Sequence, residues 1–399
     1  MSADDASFLI GIRSLRRTLH RTAELRFEEF RTADALAAVL RDAGLEPITG
    51  VATTGILATV EGERPGPHVL LRADLDAYPV DEAAEHEIRS ATQGVSHACG
   101  HDVHMAAVAG ALIRFAQNPP ERGTVSALFQ PAEEVPYGKR SGAEAVLEAG
   151  VLAPSYDAVV GLHCWPSLEA GVIGIDDRIA MAAKDAFQVV VRGRSAHAAS
   201  PAEGRDAVVA IAAIVTGVHL AVGRRRDAGD IVAINVGTIV GGSSQSALAA
   251  SASATGTIRT TDAAVRRRMR EVVADVCDGV ARQFDIGVDV HWANAMPAVE
   301  NDPRMVALGR RVLPSVAEVV RMEDAPMTTD DFALLTALGP SLYFKLGVAT
   351  RGVPAAPLHA ADFTVDEECV GVAVEALAAL ATSVLAERTD PETPKGDGK

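Results

Sequence analysis

Aromatic side chains and basic charge are both scarce in this chain. Phe, Trp and Tyr make up 4% of its 399 residues, whereas apolar residues as a whole reach 48%. A chain of this length and composition can bury sizeable cores built chiefly from Ala, Val, Leu and Ile, and two domains are expected. Its 37 basic and 53 acidic residues give a net charge of −16. Neither a nucleic-acid partner nor an anionic membrane is expected, because no basic excess exists to displace counterions.

Cysteine is also sparse. Cys99, Cys164, Cys277 and Cys369 are widely spaced and show no disulfide framework. Residues 1–8 lack the apolar region of a signal peptide, and no uninterrupted apolar run approaches the length that crosses a bilayer. These absences predict a protein of the reducing cytoplasm, where a thiolate is free to bind a metal ion.

Motifs for phosphate binding and for nucleophilic catalysis are missing as well. No Gly-rich loop precedes a Lys-Ser or Lys-Thr pair, and residues 193–197 (Gly-Arg-Ser-Ala-His) lack the Gly-x-Ser-x-Gly elbow of a serine hydrolase. The sequence therefore favours metal-activated water over a protein nucleophile.

The pattern up to residue 180 predicts an α/β domain. Apolar spacing predicts helices at 8–42, 102–117 and 142–149, and strands at 55–61, 68–74, 124–130 and 157–163. This alternation favours a mostly parallel mixed sheet covered by helices, with the active site at the carboxyl ends of the strands. Asp74, Glu133 and His163 fall at the ends of the predicted strands.

From residue 180 the predicted order becomes β-α-β-β-α-β, which is typical of a ferredoxin-like α+β unit. Its strands are predicted at 186–192, 232–240, 251–260 and 286–292, and its helices at 206–223 and 263–284. We predict a discontinuous metal-binding catalytic domain of residues 1–179 and 298–386, with its last helices at 304–320 and 367–387. Residues 180–297 form the predicted inserted domain, and the polar residues 387–399 a disordered tail.

Metal-ligating side chains are concentrated in residues 97–105 (His-Ala-Cys-Gly-His-Asp-Val-His-Met). The Cys99 thiolate and the His101 imidazole are ligands that divalent transition metals prefer. A lone Cys-x-His pair is more often structural. However, Glu133-Glu134, His163 and His359 bring ligand types from three further segments, so together they predict one metal centre assembled by the fold.

Two adjacent carboxylates such as Glu133 and Glu134 cannot both serve one metal in the same way. A natural division is one ligand and one proton shuttle, because a metal lowers the pKa of bound water towards about 7 and a nearby carboxylate can pass the proton to a leaving amine. His197 and Arg259 could neutralise a substrate carboxylate or a developing oxyanion. Taken alone, each of these residues also has an ordinary structural explanation.

The chain resembles the di-metal aminoacylase and carboxypeptidase G family, in the amidohydrolase branch that includes hippurate hydrolases and plant auxin-conjugate hydrolases. The resemblance extends over roughly residues 12–385. It is most specific in residues 71–76 (Leu-Arg-Ala-Asp-Leu-Asp), 97–102 (His-Ala-Cys-Gly-His-Asp) and 129–134 (Phe-Gln-Pro-Ala-Glu-Glu). It implies a catalytic α/β domain with two adjacent divalent metal ions and a smaller domain that forms a homodimer.

The resemblance also implies roles for individual residues. Glu133 would be the general base and then the acid, Asp76 would support the centre, His197 would reach the active site of the partner subunit, and Arg259 would hold the substrate carboxylate. Ser246, which stands where relatives carry a substrate-binding Asn, is a candidate substrate contact. The implied metal ligands are Cys99, His101, Glu134, His163 and His359.

Two further departures affect the surroundings of the site. Asp330 replaces the usual Glu, and the loop 135–141 is longer and more basic than the family pattern. The sequence predicts a metal-dependent amidohydrolase that cleaves N-acyl amino acids or related small amides, with zinc or manganese, or else cobalt or nickel. Two alternatives stay open: a non-catalytic, metal-stabilised small-molecule binding protein on this scaffold, and a structural zinc site with one metal per chain.

Overall fold

The computed structural model describes residues 3–83, 85–136, 138–323 and 326–387. In these ranges the helices are α1 (Ala3–Arg21), α2 (Phe30–Asp42), α3 (His101–Gln117), α4 (Gly142–Ala149), α5 (Ala207–Arg225), α6 (Ala263–Phe284), α7 (Pro303–Val312), α8 (Phe332–Leu335) and α9 (Glu368–Ala386). The strands are β1 (Ile48–Val51), β2 (Gly55–Glu61), β3 (Arg64–Asp74), β4 (Arg122–Gln130), β5 (Ala158–Glu169), β6 (Val172–Ile175), β7 (Ile179–Met181), β8 (Ala183–Arg192), β9 (Val232–Gly241), β10 (Ser251–Thr260), β11 (Gly287–Met296), β12 (Val299–Glu300), β13 (Glu318–Arg321) and β14 (Ser341–Ala349). Of the predicted tail, residues 388–399 lie outside the described residues.

A mixed sheet with the strand order β1-β2-β4-β3-β5-β14-β6-β13 forms the centre of the molecule. Strands β4, β3, β5 and β14 run parallel, whereas β2 and β6 pair antiparallel with β4 and β14. The predicted α/β class with a mixed sheet is confirmed. Parallel strands end at a common edge, so Asp74 at the end of β3 lies beside Gln130 at the end of β4.

Helices cover both faces of this sheet because successive strand residues point to opposite sides. Val69 and Leu71 of β3 belong to the largest hydrophobic core, together with α1, α2, α3 and α9. Leu70 between them belongs to a second core with α4 and α8. Helix α3 is buried along most of its length and packs against α9 and β3. This packing fixes the position of its first residue, His101.

The second sheet is antiparallel, with the order β11-β8-β10-β9. Helices α5 and α6 cover one of its faces, and the buried core there is drawn entirely from residues 187–286. The β-α-β-β-α-β order predicted for this region is present. The domain boundaries, with residues 180–297 inserted into a domain of residues 1–179 and 298–386, remain a prediction.

Two predicted helices are shorter in the structure. The helix predicted at 8–42 is two helices, because the chain turns between Arg21 and Phe30, where Phe27 has a left-handed φ of 58°. The helix predicted at 304–320 ends at Val312, and a 3-10 turn leads into β13.

Two differences concern the strands near the predicted site. His163 does not end a strand, because β5 continues beyond it to Glu169 and still pairs with β14 there. Strand β14 itself was not predicted. It is buried on both faces, so it lacks the alternation that marks a half-exposed strand, and Lys345 interrupts its apolar run.

Helices α5 and α9 are each 19 residues long and, by length and composition alone, apolar enough to cross a membrane. Neither apolar run is uninterrupted, because α5 contains Thr216 and His219 and α9 contains Glu375. Helix α9 is mostly buried against α3 and β3, which explains its apolar composition. Only 33% of the apolar stretch of α5 is buried, so a large part of the surface of this helix faces outwards.

Candidate metal centre

Gly100 forms the turn that presents Cys99 and His101. It precedes α3 with a φ of 82°, a left-handed conformation that favours glycine. A Cβ on Gly100 would lie 2.6 Å from Cys164 Sγ and 2.8 Å from Cys164 Cβ. The turn therefore requires glycine both for its backbone conformation and for space.

The ligand-type atoms on this turn converge with those of distant segments. The atoms of Cys99, His101 and His163 lie within 4.8 Å of one another, and so do those of Cys99, Glu134 and His359. Cys99 Sγ is 3.5 Å from His163 Nε2 and 3.3 Å from His359 Nε2. His359 Nε2 is 2.7 Å from Glu134 Oε1. The structure thus brings all five predicted ligands together, in two groups of three that share Cys99.

Two of the imidazoles are held so that Nε2 is free for a cation. His101 Nδ1 donates to the Asp76 carbonyl oxygen at 2.7 Å, and His163 Nδ1 donates to the Cys164 carbonyl oxygen at 2.8 Å. A carbonyl can only accept, so Nδ1 carries a proton, and in the neutral ring Nε2 keeps its lone pair. Burial, together with the neighbouring His104, lowers the pKa of His163 to about 4. The His163 ring is therefore neutral at pH 7, as a metal ligand must be.

Asp76 holds the pair of glutamates through their backbone. Its carboxylate accepts hydrogen bonds from the N–H groups of Glu133 and Glu134, at 3.0 and 2.9 Å. Just before them, Ala132 has a left-handed φ of 53°, a conformation that costs a non-glycine residue free energy and persists only where surrounding contacts impose it. Asp76 thus fixes the backbone of both glutamates, and its role in supporting a metal centre stays a prediction.

The two adjacent glutamates have opposite electrostatic environments. Burial and the charge of Glu134 raise the pKa of Glu133 well above its usual range. Burial by itself would also raise the pKa of Glu134. The hydrogen bond and charge of His359 outweigh this effect, so the pKa of Glu134 is lowered. Environments that push the pKa values of neighbouring carboxyl groups apart are the pattern of an acid–base site.

The donor set fits divalent cations. Burial, together with the charges of Glu134 and Glu133, raises the pKa of the Cys99 thiol well above its usual range, so a bound cation is needed to keep it as a thiolate. A further group of carboxylates, Asp330 and Asp331, lies within 4.8 Å of Glu133. Thiolate, imidazole and carboxylate donors gathered in such an acidic pocket are a favourable site for transition-metal cations.

Sequence reasoning missed a buried network beneath the cluster. Arg72, which is 1% exposed, pairs with Asp74 and Asp331 at 2.8 Å each. Asp74 in turn accepts from His104 Nδ1 at 2.7 Å, and His104 Nε2 accepts from the Cys164 N–H at 3.0 Å. Both nitrogens of His104 are therefore engaged within the protein. The available signal was the two-residue spacing of Arg72 and Asp74 in β3, which places both side chains on one face of the strand.

Three predicted site residues, Arg259, His197 and Ser246, lie on the second sheet or its loops. Arg259 lines a cavity of about 310 Å³ together with the cluster, and its Nη1 donates to the Met327 carbonyl oxygen at 2.6 Å. His197 and Ser246 are exposed and do not line this cavity. They lie beside each other instead, because the Ala198 N–H donates to the Ser246 carbonyl oxygen at 3.0 Å.

Comparison with known proteins assigns the chain to a family. The family model described as peptidase family M20/M25/M40 matches residues 70–383. The chain belongs to this family. Among its M20 relatives, the N-acetylcysteine deacetylase of Bacillus subtilis (strain 168) is 32% identical, covering 96% of this chain and 98% of the relative. Thermostable carboxypeptidase 2 of Saccharolobus solfataricus is 33% identical, covering 93% of each chain.

The fold of this M20 protein is similar to that of solved M20 structures. The crystal structure of the Bacillus subtilis YXEP protein, a dinuclear metal-binding peptidase from the M20 family, superposes with a TM-score of 0.82. It is 29% identical and covers 95% of this chain and 99% of its own. The predicted family is confirmed: the protein is a metal-dependent amidohydrolase, and two divalent cations are supported. These relatives favour an enzyme over the non-catalytic binding protein, and a dinuclear centre over a single structural zinc.

Proposed function

We propose that this M20 protein hydrolyses N-acyl amino acids or related small amides, with Glu133 carrying the proton from water to the leaving nitrogen. The observation that supports this assignment is the contrast between Glu133 and Glu134. One carboxyl group has a raised pKa and the other a lowered pKa, and both lie at a largely buried cluster of thiol and imidazole donors. Such a division separates a proton carrier from a ligand.

The proposed metal ligands hold two divalent cations, with zinc or manganese ahead of cobalt or nickel. The thiolate favours zinc, whereas the carboxylate and the imidazoles accept all four ions. When bound, the cations supply Lewis acidity that lowers the pKa of water and polarises the scissile carbonyl. Metal analysis of the purified protein, followed by reconstitution with each ion, tests the identity. The proposed ligands are Cys99, His101, Glu134, His163 and His359.

Glu133 is positioned to transfer protons at the cavity wall. Its backbone is fixed by Asp76, and its side chain lines the cavity beside Glu134. A carboxyl group with a raised pKa accepts a proton from water and returns it readily to a nitrogen as the C–N bond breaks. Asp76, which bonds to both glutamate N–H groups, keeps this geometry and is a positioning residue.

Arg259 is proposed to hold the carboxylate of the substrate. It lies in the same cavity, and its planar guanidinium matches a carboxylate with two parallel hydrogen bonds. The Met327 carbonyl oxygen engages one of its nitrogens, which leaves further N–H donors for a ligand. Ser246 and His197 lie together outside this cavity, so they are proposed to act on the site of a partner subunit.

A pair of substitutions tests the division between the two glutamates. Glu133→Gln is expected to keep both cations and the fold but to lose nearly all turnover of acylated amino acids. Glu134→Gln is expected to lose turnover together with a cation, because it removes an anionic ligand. Turnover and metal content are measured on the same preparations. Substantial turnover in Glu133→Gln would remove the assignment of Glu133.

We further propose a homodimer formed through the second sheet. Strand β9 is an edge of that sheet, and it carries exposed apolar side chains, among them Ile239 at 55% and Val240 at 67%. Leu220 on α5 is also exposed, at 64%. An apolar edge strand beside an apolar helix face favours pairing with a second chain.

Mixing two inactive variants tests both the dimer and the role of His197. If His197 serves the partner's site, His197→Ala and Glu133→Gln subunits assemble mixed dimers in which one site has both residues intact. Activity then returns on mixing, while each variant alone is inactive. Lack of recovery in mixtures shown to exchange subunits would place His197 outside the neighbouring site.

The reducing cytoplasm is the proposed location of the protein. All four cysteines are free thiols, which fits a reducing compartment. Cell fractionation with an antibody against the protein tests this.

A further inference from the structure

Lys184 and Arg259 are cross-strand neighbours on the second sheet. Lys184 of β8 lies directly opposite Arg259 in the antiparallel pairing of β8 with β10. Side chains in such positions share one face of the sheet, with Cβ atoms about 4.5–5.5 Å apart, and like charges there destabilise the pair. Two adjacent cations at this position therefore call for an anion that offsets their repulsion.

Both cations point away from the core of the second sheet. Phe187 on β8 and Ile258 on β10 belong to the core beneath α5 and α6, so residues of the opposite parity face the other way. Lys184 and Arg259 accordingly line the 310 Å³ cavity that contains Glu133. Lys184 also lines an adjoining cavity of about 240 Å³, whose other walls include polar residues of β9 and β10.

Neither cation has an internal carboxylate partner. Across residues 3–83, 85–136, 138–323 and 326–387, no ion pair involves Lys184 or Arg259, and the Arg259 hydrogen bond goes to a carbonyl. Burial lowers the pKa of both groups. Partly buried charges that stay unpaired cost free energy, and a ligand with negative charge would recover it.

We propose that Lys184 is a specificity-determining residue, which together with Arg259 selects substrates that carry two carboxylates. This inference rests on the proposed function, in which Arg259 binds the carboxylate of the amino-acid half. Lys184 then binds a second carboxylate, which belongs either to the side chain of the amino acid or to a dicarboxylic acyl group. The cavity that adjoins Lys184 offers space for that second group.

A different role for Lys184 would be to balance the charge of the catalytic carboxylates. Glu133 and Glu134 both act on Lys184 through their charge. In that role, loss of Lys184 lowers the turnover of neutral and acidic substrates alike. Discrimination between a carboxylate and its isosteric amide therefore separates the two roles.

The experiment uses two matched substrate pairs with the metal-loaded enzyme. N-acetyl-L-glutamate is compared with N-acetyl-L-glutamine, and N-succinyl-L-alanine with its terminal amide. We expect kcat/KM to favour one acid over its amide by about 10- to 100-fold, the range that a charged hydrogen bond supplies. The pair that shows the preference identifies which half of the substrate carries the second carboxylate.

Variants then assign the preference to Lys184. Lys184→Met is expected to bring the acid-to-amide ratio close to one, whereas Lys184→Arg retains most of it. Arg282→Met, which removes an exposed cation from α6, controls for net charge and should leave the ratio unaltered. Melting curves of each variant verify folding.

Two results would overturn the inference: equal kcat/KM for acid and amide in both pairs, or an equal loss on acid and amide in Lys184→Met. Cleavage of neutral amides with no acid preference would leave the proposed function intact. If none of the four compounds is cleaved, the proposed function fails for them. Calorimetric binding of the same four compounds then still decides whether Lys184 discriminates charge.

Discussion

Replacing Gly100 with alanine tests whether the turn between Cys99 and His101 sets the geometry of the metal centre. The left-handed φ of 82° at Gly100 costs an L-residue about 1–2 kcal/mol. The new Cβ would also lie 2.6 Å from Cys164 Sγ. Because Cys164 is fully buried in β5 beside His163, relief of this overlap moves packed atoms, at about 1–3 kcal/mol. Together the two effects predict a destabilisation of about 2–5 kcal/mol.

Gly44 provides a matched control for the free-energy cost of the left-handed backbone conformation. Its φ is 83°, and a Cβ there would meet nothing within 4 Å. Gly44→Ala is therefore expected to destabilise the protein only by this conformational cost, about 1–2 kcal/mol. The difference between the two variants isolates the overlap with Cys164.

Urea denaturation of both variants measures the free energy of unfolding, and chelator competition measures metal affinity. We expect Gly100→Ala to be the less stable variant and to bind cations more weakly, because its relaxation displaces Cys99, His101 or His163. A Gly100→Ala variant that is no less stable than Gly44→Ala and keeps the metal affinity of the native protein would show that the turn does not set the geometry of the metal centre.

The remaining predictions concern buried charge, pH and metal. Arg72→Met leaves three buried aspartates, Asp74, Asp330 and Asp331, without their cation and should cost about 3–5 kcal/mol in urea denaturation; a loss under 1 kcal/mol would contradict this. Burial raises the pKa of Glu82, but hydrogen bonds from His20 and His86 outweigh it and lower the pKa to about 2 from 4.5. The resulting stabilisation is complete above pH 4.5 and is lost as the pH falls towards 2, so Glu82→Gln should be less stable at pH 6 while the difference narrows at pH 3. Removal of metal by a chelator should abolish turnover but leave a cooperative melting transition, because none of the five proposed ligands is a member of the three main hydrophobic cores; loss of that transition would instead indicate a structural metal.

The local sequence was sufficient to predict most of the helices and strands around the site. Strand β10 and helices α4 and α6 begin and end where the apolar period predicted, and Asp262 caps α6 through the N–H groups of Ala264 and Val265. Ligand chemistry is local too, so a thiol, imidazoles and paired carboxylates could be recognised residue by residue. The errors lay where burial removes periodicity, as in β14, or where a loop divides an apolar run, as between α1 and α2.

The sequence by itself determined which donor groups are present and that strands and helices alternate. Both follow from short segments, because the chemistry of a side chain and the hydrophobic period are local properties. Only the tertiary structure decided that Cys99 is shared by two groups of ligand-type atoms and that Glu133 and Glu134 lie in opposite electrostatic environments. It also placed Lys184 opposite Arg259, while His197 lies outside the cavity. The physical reason is that distances, desolvation and strand register arise from packing between segments far apart in the chain.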